Sequence, residues 1–303
     1  MNNYIMFPKN QQELEKTFST NERCRDYLLQ LKFPNGYVCP KCEHKEYWTR
    51  DNGKYKCKNC RYELSVMAGT IFQDTKIDLT IWFRAIWNFI VNKNGMSAVS
   101  LERSLGISYK SAWIMLHKIR KSMIRPSREK LNGTIEVDEC FIGGVASGKR
   151  GRGADKKTLV AIGVEVNNGI TGRIRMQVVE NASSESLVGF IENNIEKQSH
   201  VITDGWKSYK TLSNFDYKHS SRIENGKLPC VHMTISLLKR WMLGTHQGAI
   251  VKEHLQEYLD EFTFRFNRRK SKSRGLLFQR VLENAIKIES TVYKNLIIQK
   301  EIA

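Results

Sequence analysis

Acidic residues are scarce in this chain of 303 residues: 31 Asp and Glu stand against 49 Lys and Arg, for a net charge of +18. The natural complement of such a field is a polyanion, above all nucleic acid. The excess is also clustered, which a solubilising average would not be. Residues 263–280, TFRFNRRKSKSRGLLFQR, hold seven basic side chains and no acid. Phe264 and Phe266 lie between the charges and suit a phosphate-facing surface with a packed underside. Long hydrophobic runs are missing too. The longest, LTIWFRAIWNFIV, has 13 residues and contains Arg84, whereas a bilayer span needs about 20. No membrane span or membrane partner is expected. The opening MNNYIMFPKNQQELEK has no charged start, apolar run and small-residue cleavage site, so it does not read as a secretory signal and a cytoplasmic, nucleoid-associated home is expected. No repeat at a solenoid period and no low-complexity tract occurs.

The length gives room for two or three domains. Seven cysteines are an odd number for a disulfide framework, and four of them form two close pairs. Cys39 with Cys42 and Cys57 with Cys60 are separated by 14 residues, which is zinc-ribbon spacing. Two such turns close a tetrahedral shell of four thiolates and leave no position for a reactive water, so one structural Zn2+ is expected within residues 36–74. His44 is surplus to that shell. Cys24, Cys140 and Cys230 are expected to pack as small apolar side chains.

Residues 1–35 form a helical brace with Phe18, Cys24, Tyr27, Leu28 and Leu31 as its apolar stripe. Over 75–126, Asp78 is placed to cap a largely buried helix. MSAVSLERSLGISYKSAWIMLHKIRKSM then reads as two helices around a turn at Gly106–Ser108. This is helix-turn-helix phrasing, with Trp113, Leu116 and Ile119 inward and Tyr109, Lys110, Lys118, Arg120 and Lys121 available to phosphates or base edges. An ordinary helical subdomain would read the same way.

From residue 133 the pattern changes to strands: GTIEVDECFIGG, LVAIGVEVNNG and GRIRMQVVEN, with NNG as a hairpin turn. The helix SSESLVGFIENNIEK, capped by Ser183 or Ser184, and the short strand SHVITD follow. The order is α/β. Asp138 lies inside an apolar strand and Asp204 ends another, and a carboxylate in such a place is costly unless neutralised. On neighbouring strands the two could share hard cations such as Mg2+ through oxygen ligands. Equally, each could be an ordinary strand-end or ion-paired acid. The loop GGVASGKRGRGADKK, with Lys149, Arg150 and Arg152, has little side-chain bulk and permits close approach to a sugar-phosphate backbone; a hairpin tip without a ligand reads nearly as well. Further on, EHLQEYLDEFTFRFNRR packs Leu255, Tyr258, Leu259, Phe262 and Phe266 inward and aims Arg265, Arg268 and Arg269 outward.

Taken together, EVDECFIGG, VITDGWKSY, SLLKRWMLGTHQG and LDEFTFRFNRR resemble the insertion-sequence DDE transposases that carry an amino-terminal zinc ribbon. The resemblance implies a ribonuclease H-like catalytic core over 130–300, preceded by the ribbon and the helix-turn-helix-like domain. It also implies two catalytic Mg2+ or Mn2+ ions, metal-dependent cleavage at insertion-sequence ends and strand transfer into target DNA. The implied partners are double-stranded DNA, as terminal inverted repeats and target, and further copies in a homodimer or higher assembly. The family's two aspartates fall on Asp138 and Asp204. Its third acid and following basic residue fall on His232 and Lys239, so an imidazole stands where glutamate is usual, a departure that bears on metal affinity. Imidazole suits Mn2+ better than Mg2+. Positions seven apart on a helix share a side, so His232 at the metal and Lys239 at a phosphate would act together. Read from pattern alone, His232 could be a core histidine, with Glu253, Glu257 or Glu261 supplying the acid. Glu139 faces the other side of its strand from Asp138 and reads as structural. The competing classes are a non-catalytic DNA-binding regulator with a degenerate core and a nuclease of the same fold.

Overall fold

The apolar stripe of the brace finds part of its cover at the far end of the chain. A computed structural model, describing residues 7–125, 127–143, 157–222, 227–247 and 250–289, divides into two compact units, 1–125 with 271–303 and 126–270. Its helices are α1 (Gln11–Thr17), α2 (Asn21–Lys32), α3 (Leu79–Val91), α4 (Ala98–Leu105), α5 (Tyr109–Ser122), α6 (Ser184–Asn194), α7 (Pro229–His246), α8 (Leu255–Asn267) and α9 (Arg274–Ala285). Its strands are β1 (Tyr47–Thr49), β2 (Tyr55–Cys57), β3 (Glu63–Leu64), β4 (Thr134–Ile142), β5 (Thr158–Asn167), β6 (Ile170–Val179), β7 (His200–Thr203) and β8 (Lys218–Ser221).

In the first unit, Phe18 meets Tyr27 and Phe83 edge-on at 4.9 and 4.8 Å, and Phe278 of α9 meets Phe83 and Trp87 at 5.7 and 5.8 Å. Helix α9 therefore belongs to this unit, and the expected catalytic domain over 130–300 must be shortened at its end. The cap of α3 also differs from expectation. Asp78 makes no side-chain capping bond. Asn21 of α2 accepts from the Leu79 amide at 2.7 Å and donates to Asp78 Oδ1 at 2.8 Å, so a side chain from another helix does the capping. Gly106, at φ +66°, ends α4 in the left-handed region that favours glycine, and Ser108 caps α5.

The second unit holds a five-stranded sheet in the order β6–β5–β4–β7–β8. The first three strands form an antiparallel meander, whose second turn is made by Asn168 and Gly169 at φ +51° and +77°. β7 runs parallel to β4, and β8 parallel to β7. Helix α6 packs on one face with Ile135, Val137, Leu159 and Ala161, and α7 and α8 cover the other with Val160, Ile162, Ile174 and Met176. A mixed sheet in this order between two helical layers is the expected ribonuclease H-like α/β core. Alternation along β4 turns Ile135 and Val137 toward α6, and Glu136, Asp138 and Cys140 toward α7. Among the described residues no helix is long and apolar enough to cross a membrane.

Candidate active site

The four paired cysteines meet as their spacing requires. Their sulfurs lie within 4.8 Å of one another, with Cys39–Cys60 and Cys42–Cys57 each at 3.6 Å. A tetrahedral zinc ion with Zn–S bonds near 2.3 Å sets its sulfurs about 3.8 Å apart, so the residues fit the ion. Burial opposes ionisation of Cys39, yet the backbone amides of Lys41 and Cys42 and the neighbouring thiols outweigh it and bring the thiol down to about 6. Three aromatic rings, Tyr37, Tyr47 and Tyr55, line the ribbon in edge contacts, and the Tyr55 hydroxyl donates to Asp26 on α2 at 2.9 Å.

The two aspartates lie at the ends of neighbouring strands. Residues 134–136 of β4 pair with 200–202 of β7, β7 ends at Thr203 one residue before Asp204, and the charge of Asp204 acts on Asp138. Asp204 ends its strand by accepting from the Trp206 amide at 3.1 Å. His232, on the first turns of α7, sets Nε2 3.2 Å from Asp138 Oδ2. Its side chain is 47% exposed and that of Asp138 16%, so the histidine stands at the rim over a sunken carboxylate instead of filling the core. Burial, helped by the charges of Glu139 and Asp204, pushes Asp138 up to about 6, against the pull of the Glu139 amide and His232. Unlike the four thiols, the ligand atoms of Asp138, Asp204 and His232 do not all lie within 4.8 Å of one another. Lys239, exposed two turns along α7, acts electrostatically on Cys140, the next residue on Asp138's face of β4. Burial nonetheless pushes the Cys140 thiol up to about 12.

Of the alternative acids, Glu261 is buried and accepts from Arg265 Nε at 2.8 Å, and Glu257 lies 4.0 Å from His254. The groups whose charges act on Asp138 are Glu139, Asp204 and His232. Glu139 does point to the opposite face, where the hydroxyl of buried Tyr209 donates to its Oε2 at 2.8 Å and ties the segment after Asp204 to β4. Sequence reasoning missed Tyr209, which is a plain apolar-pattern position in KSYKTL. It also missed Glu136, whose signal was a second acid inside the same apolar strand. Glu136 takes two backbone amides of α7 on its Oε2.

Residues 130–267 match the ISXO2-like transposase domain and residues 19–63 the transposase zinc-ribbon domain. The chain thus carries an ISXO2-like transposase domain behind a transposase zinc ribbon. It is 26% identical over 277 residues to the "Uncharacterized protein in transposable element ISH50" of Halobacterium salinarum, covering 82% of this chain and 92% of that one. Among solved structures, a chain of the simian T-cell lymphotropic virus intasome in complex with PP2A regulatory subunit B56 gamma overlaps at 16% identity and TM-score 0.29, over 57% of this chain and 66%, just under two thirds, of that chain. A chain of the Mos1 strand transfer complex overlaps at 11% identity and TM-score 0.28, over 68% and 75%. Overlaps this slight support nothing further about the transposase.

The transposase's basic residues divide unevenly. Lys110 is exposed at the start of α5 beside exposed Tyr109. Lys118 and Arg120 are only 8% and 2% exposed, against the expectation that they face outward, because the same side of α5 carries the core residues Met115, Leu116 and Ile119. The Arg120 guanidinium sits 5.6 Å from the Phe89 ring, and burial pulls the Lys118 amine down. Arg265, expected outward, turns inward onto Glu261. Arg268 stacks over Phe264 at 4.1 Å, and Arg269, exposed overall, stacks over Phe266 at 4.1 Å while donating to the carbonyls of Thr171 and Gly172. Lys149, Arg150 and Arg152 lie outside the described residues.

Proposed function

We propose that this transposase cuts the phosphodiester backbone at the ends of its mobile element and joins the freed 3′ end to target DNA, with Asp138, Asp204 and His232 holding two Mg2+ or Mn2+ ions. The observation that carries the reading is the meeting of strand and helix: Asp138 lies 3.2 Å from His232 and within reach of the charge of Asp204 at the end of the neighbouring strand. A carboxylate sunk in an apolar sheet with a second carboxylate for a neighbour is short of positive charge, and its donor set of two carboxylates and one imidazole suits a divalent cation, Mn2+ more than Mg2+. When bound, such ions activate an attacking oxygen and stabilise the leaving one in phosphoryl transfer. The chain's own residues do the placing. Asp138, Asp204 and His232 would hold the ions, and Lys239 on the same helix side as His232 would offer its ammonium to a phosphate.

DNA is the substrate the +18 charge favours. Exposed Lys110 and Tyr109 on α5, exposed Arg269, and Lys149, Arg150 and Arg152 contribute its grip, and Zn2+ keeps the ribbon folded. Joining two ends to one target calls for at least two copies of the chain. The test is nicking of a labelled duplex carrying an element end with Mn2+ or Mg2+. Wild-type protein nicks and joins, and Asp204→Asn loses more than the roughly 100-fold that removal of an outer partner costs. Binding without metal-dependent nicking would leave a regulator, and nicking without joining a nuclease.

A further inference from the structure

Helix α7 begins without a cap of its own. Its first residue is Pro229, and Leu228, the residue before, has no polar side chain to take up the free amides of the first turn. Those amides are answered from another element: Glu136 Oε2 accepts from the N–H groups of Cys230 and Val231 at 2.8 and 2.9 Å. Glu136 is 2% exposed, so this is an interior contact, and a carboxylate at a helix start is favoured by the helix dipole. Its place along the chain is what gives the contact a consequence. Glu136 and Asp138 are two apart on β4 and share a face. Val231 is followed at once by His232, whose amide makes an intrahelical bond to Leu228 O at 2.9 Å.

We infer that Glu136 is a positioning residue: its carboxylate pins the start of α7 to β4 and thereby sets the distance and angle of His232 against Asp138. The inference rests on the proposed active site, because a fixed His232 matters only if His232 is a ligand. The side chain touches neither substrate nor ion. It fixes the one ligand that reaches the site from a helix, while Asp138 is carried by β4 and Asp204 follows directly on β7, the strand paired with it. A helix held only by its apolar face could slide or rotate against the sheet at small cost. Two charge-assisted bonds at its first turn remove that freedom next to His232.

Two substitutions separate reach from charge. Glu136→Gln keeps the length and one acceptor oxygen but loses the charge; Glu136→Asp keeps the charge but draws the oxygens back by one methylene. Mn2+ binding to the full-length, zinc-loaded protein is followed from the electron paramagnetic resonance signal of free Mn2+, beside thermal unfolding and metal-free binding of the element-end duplex. Both variants melt lower than wild type, as any change at a buried cap requires. Mn2+ affinity falls about 10- to 100-fold in Glu136→Asp, the loss typical of an outer partner, and stays near wild type in Glu136→Gln, with duplex binding unchanged in both. Equal Mn2+ affinity in wild type and Glu136→Asp overturns the inference, as does an equal loss in the two variants. If wild type shows no Mn2+ binding that Asp204→Asn removes, the active-site reading itself has failed and takes the inference with it.

Discussion

At the scale of single residues, the candidate site keeps a carboxylate where the fold alone would not want one. Asp138 is pushed up to about 6 mainly by burial, with Glu139 and Asp204 adding to it. A carboxyl group raised in the folded state binds more protons there than in the unfolded chain, so it lowers stability above pH 6 and stops doing so as the pH falls toward the unfolded value near 4. Without divalent ions, Asp138→Asn should therefore stabilise the protein by on the order of 2 kcal/mol at pH 7.5. The gain should hold level above pH 6 and shrink below it toward pH 5. Melting curves of the two proteins with chelator across that range check this, and a gain that does not vary with pH would refute it. Added Mn2+ should favour the wild type alone. The same scale shows what single residues disclose: Asp138 and Asp204 stood out as acids in apolar strands, whereas Lys118 and Arg120 looked like DNA contacts and are interior. A helical face drawn from sequence has an edge uncertain by one residue, and a long side chain at that edge can be drawn inward by its own alkyl stem.

At the scale of elements, the zinc ribbon has little regular structure of its own. Its strands have three, three and two residues, too few to form a sheet that stands alone. Stripping zinc with a strong chelator should open residues 39–64 to proteolysis, and Zn2+ but not Mg2+ should restore resistance, since thiolates select a soft ion. Cleavage sites mapped by mass spectrometry with and without chelator decide it; protection that survives complete zinc loss, measured on the same sample, would contradict the structural role. Elements with a strong local code were legible in the sequence. The Asn168–Gly169 turn, the Ser183 cap and the strands on either side of the turn follow from backbone preferences alone. β8, with the polar sequence KHSS, gave no alternation to read and exists because β7 offers it a free edge. The cap of α3 was misread because its acceptor, Asn21, comes from 58 residues away.

At the scale of the whole molecule, charge is the dominant property. A net charge of +18 makes association with DNA a matter of displaced counterions. If the bound duplex is gripped through six to ten phosphates, affinity should drop by about 10³ to 10⁵ between 50 and 200 mM salt. Fluorescence anisotropy of a labelled duplex over that range, without divalent ions, measures it. A nearly flat dependence would mean that the charge serves some other partner. Arg265 should contribute little to that slope, since its guanidinium is committed to buried Glu261.

The sequence by itself determined the zinc ligands, the strand and helix order of the core, the sign of the partner's charge and the family, because each is written in local spacing, periodicity or composition. Tertiary structure alone decided that α9 closes the first unit, that several arginines and a lysine turn inward, and that His232 leans over Asp138 from a helix start held by Glu136. Those outcomes depend on which faces meet, for Glu136 and the start of α7 across 94 residues of chain. Packing between distant segments sets them, and no local pattern carries that information.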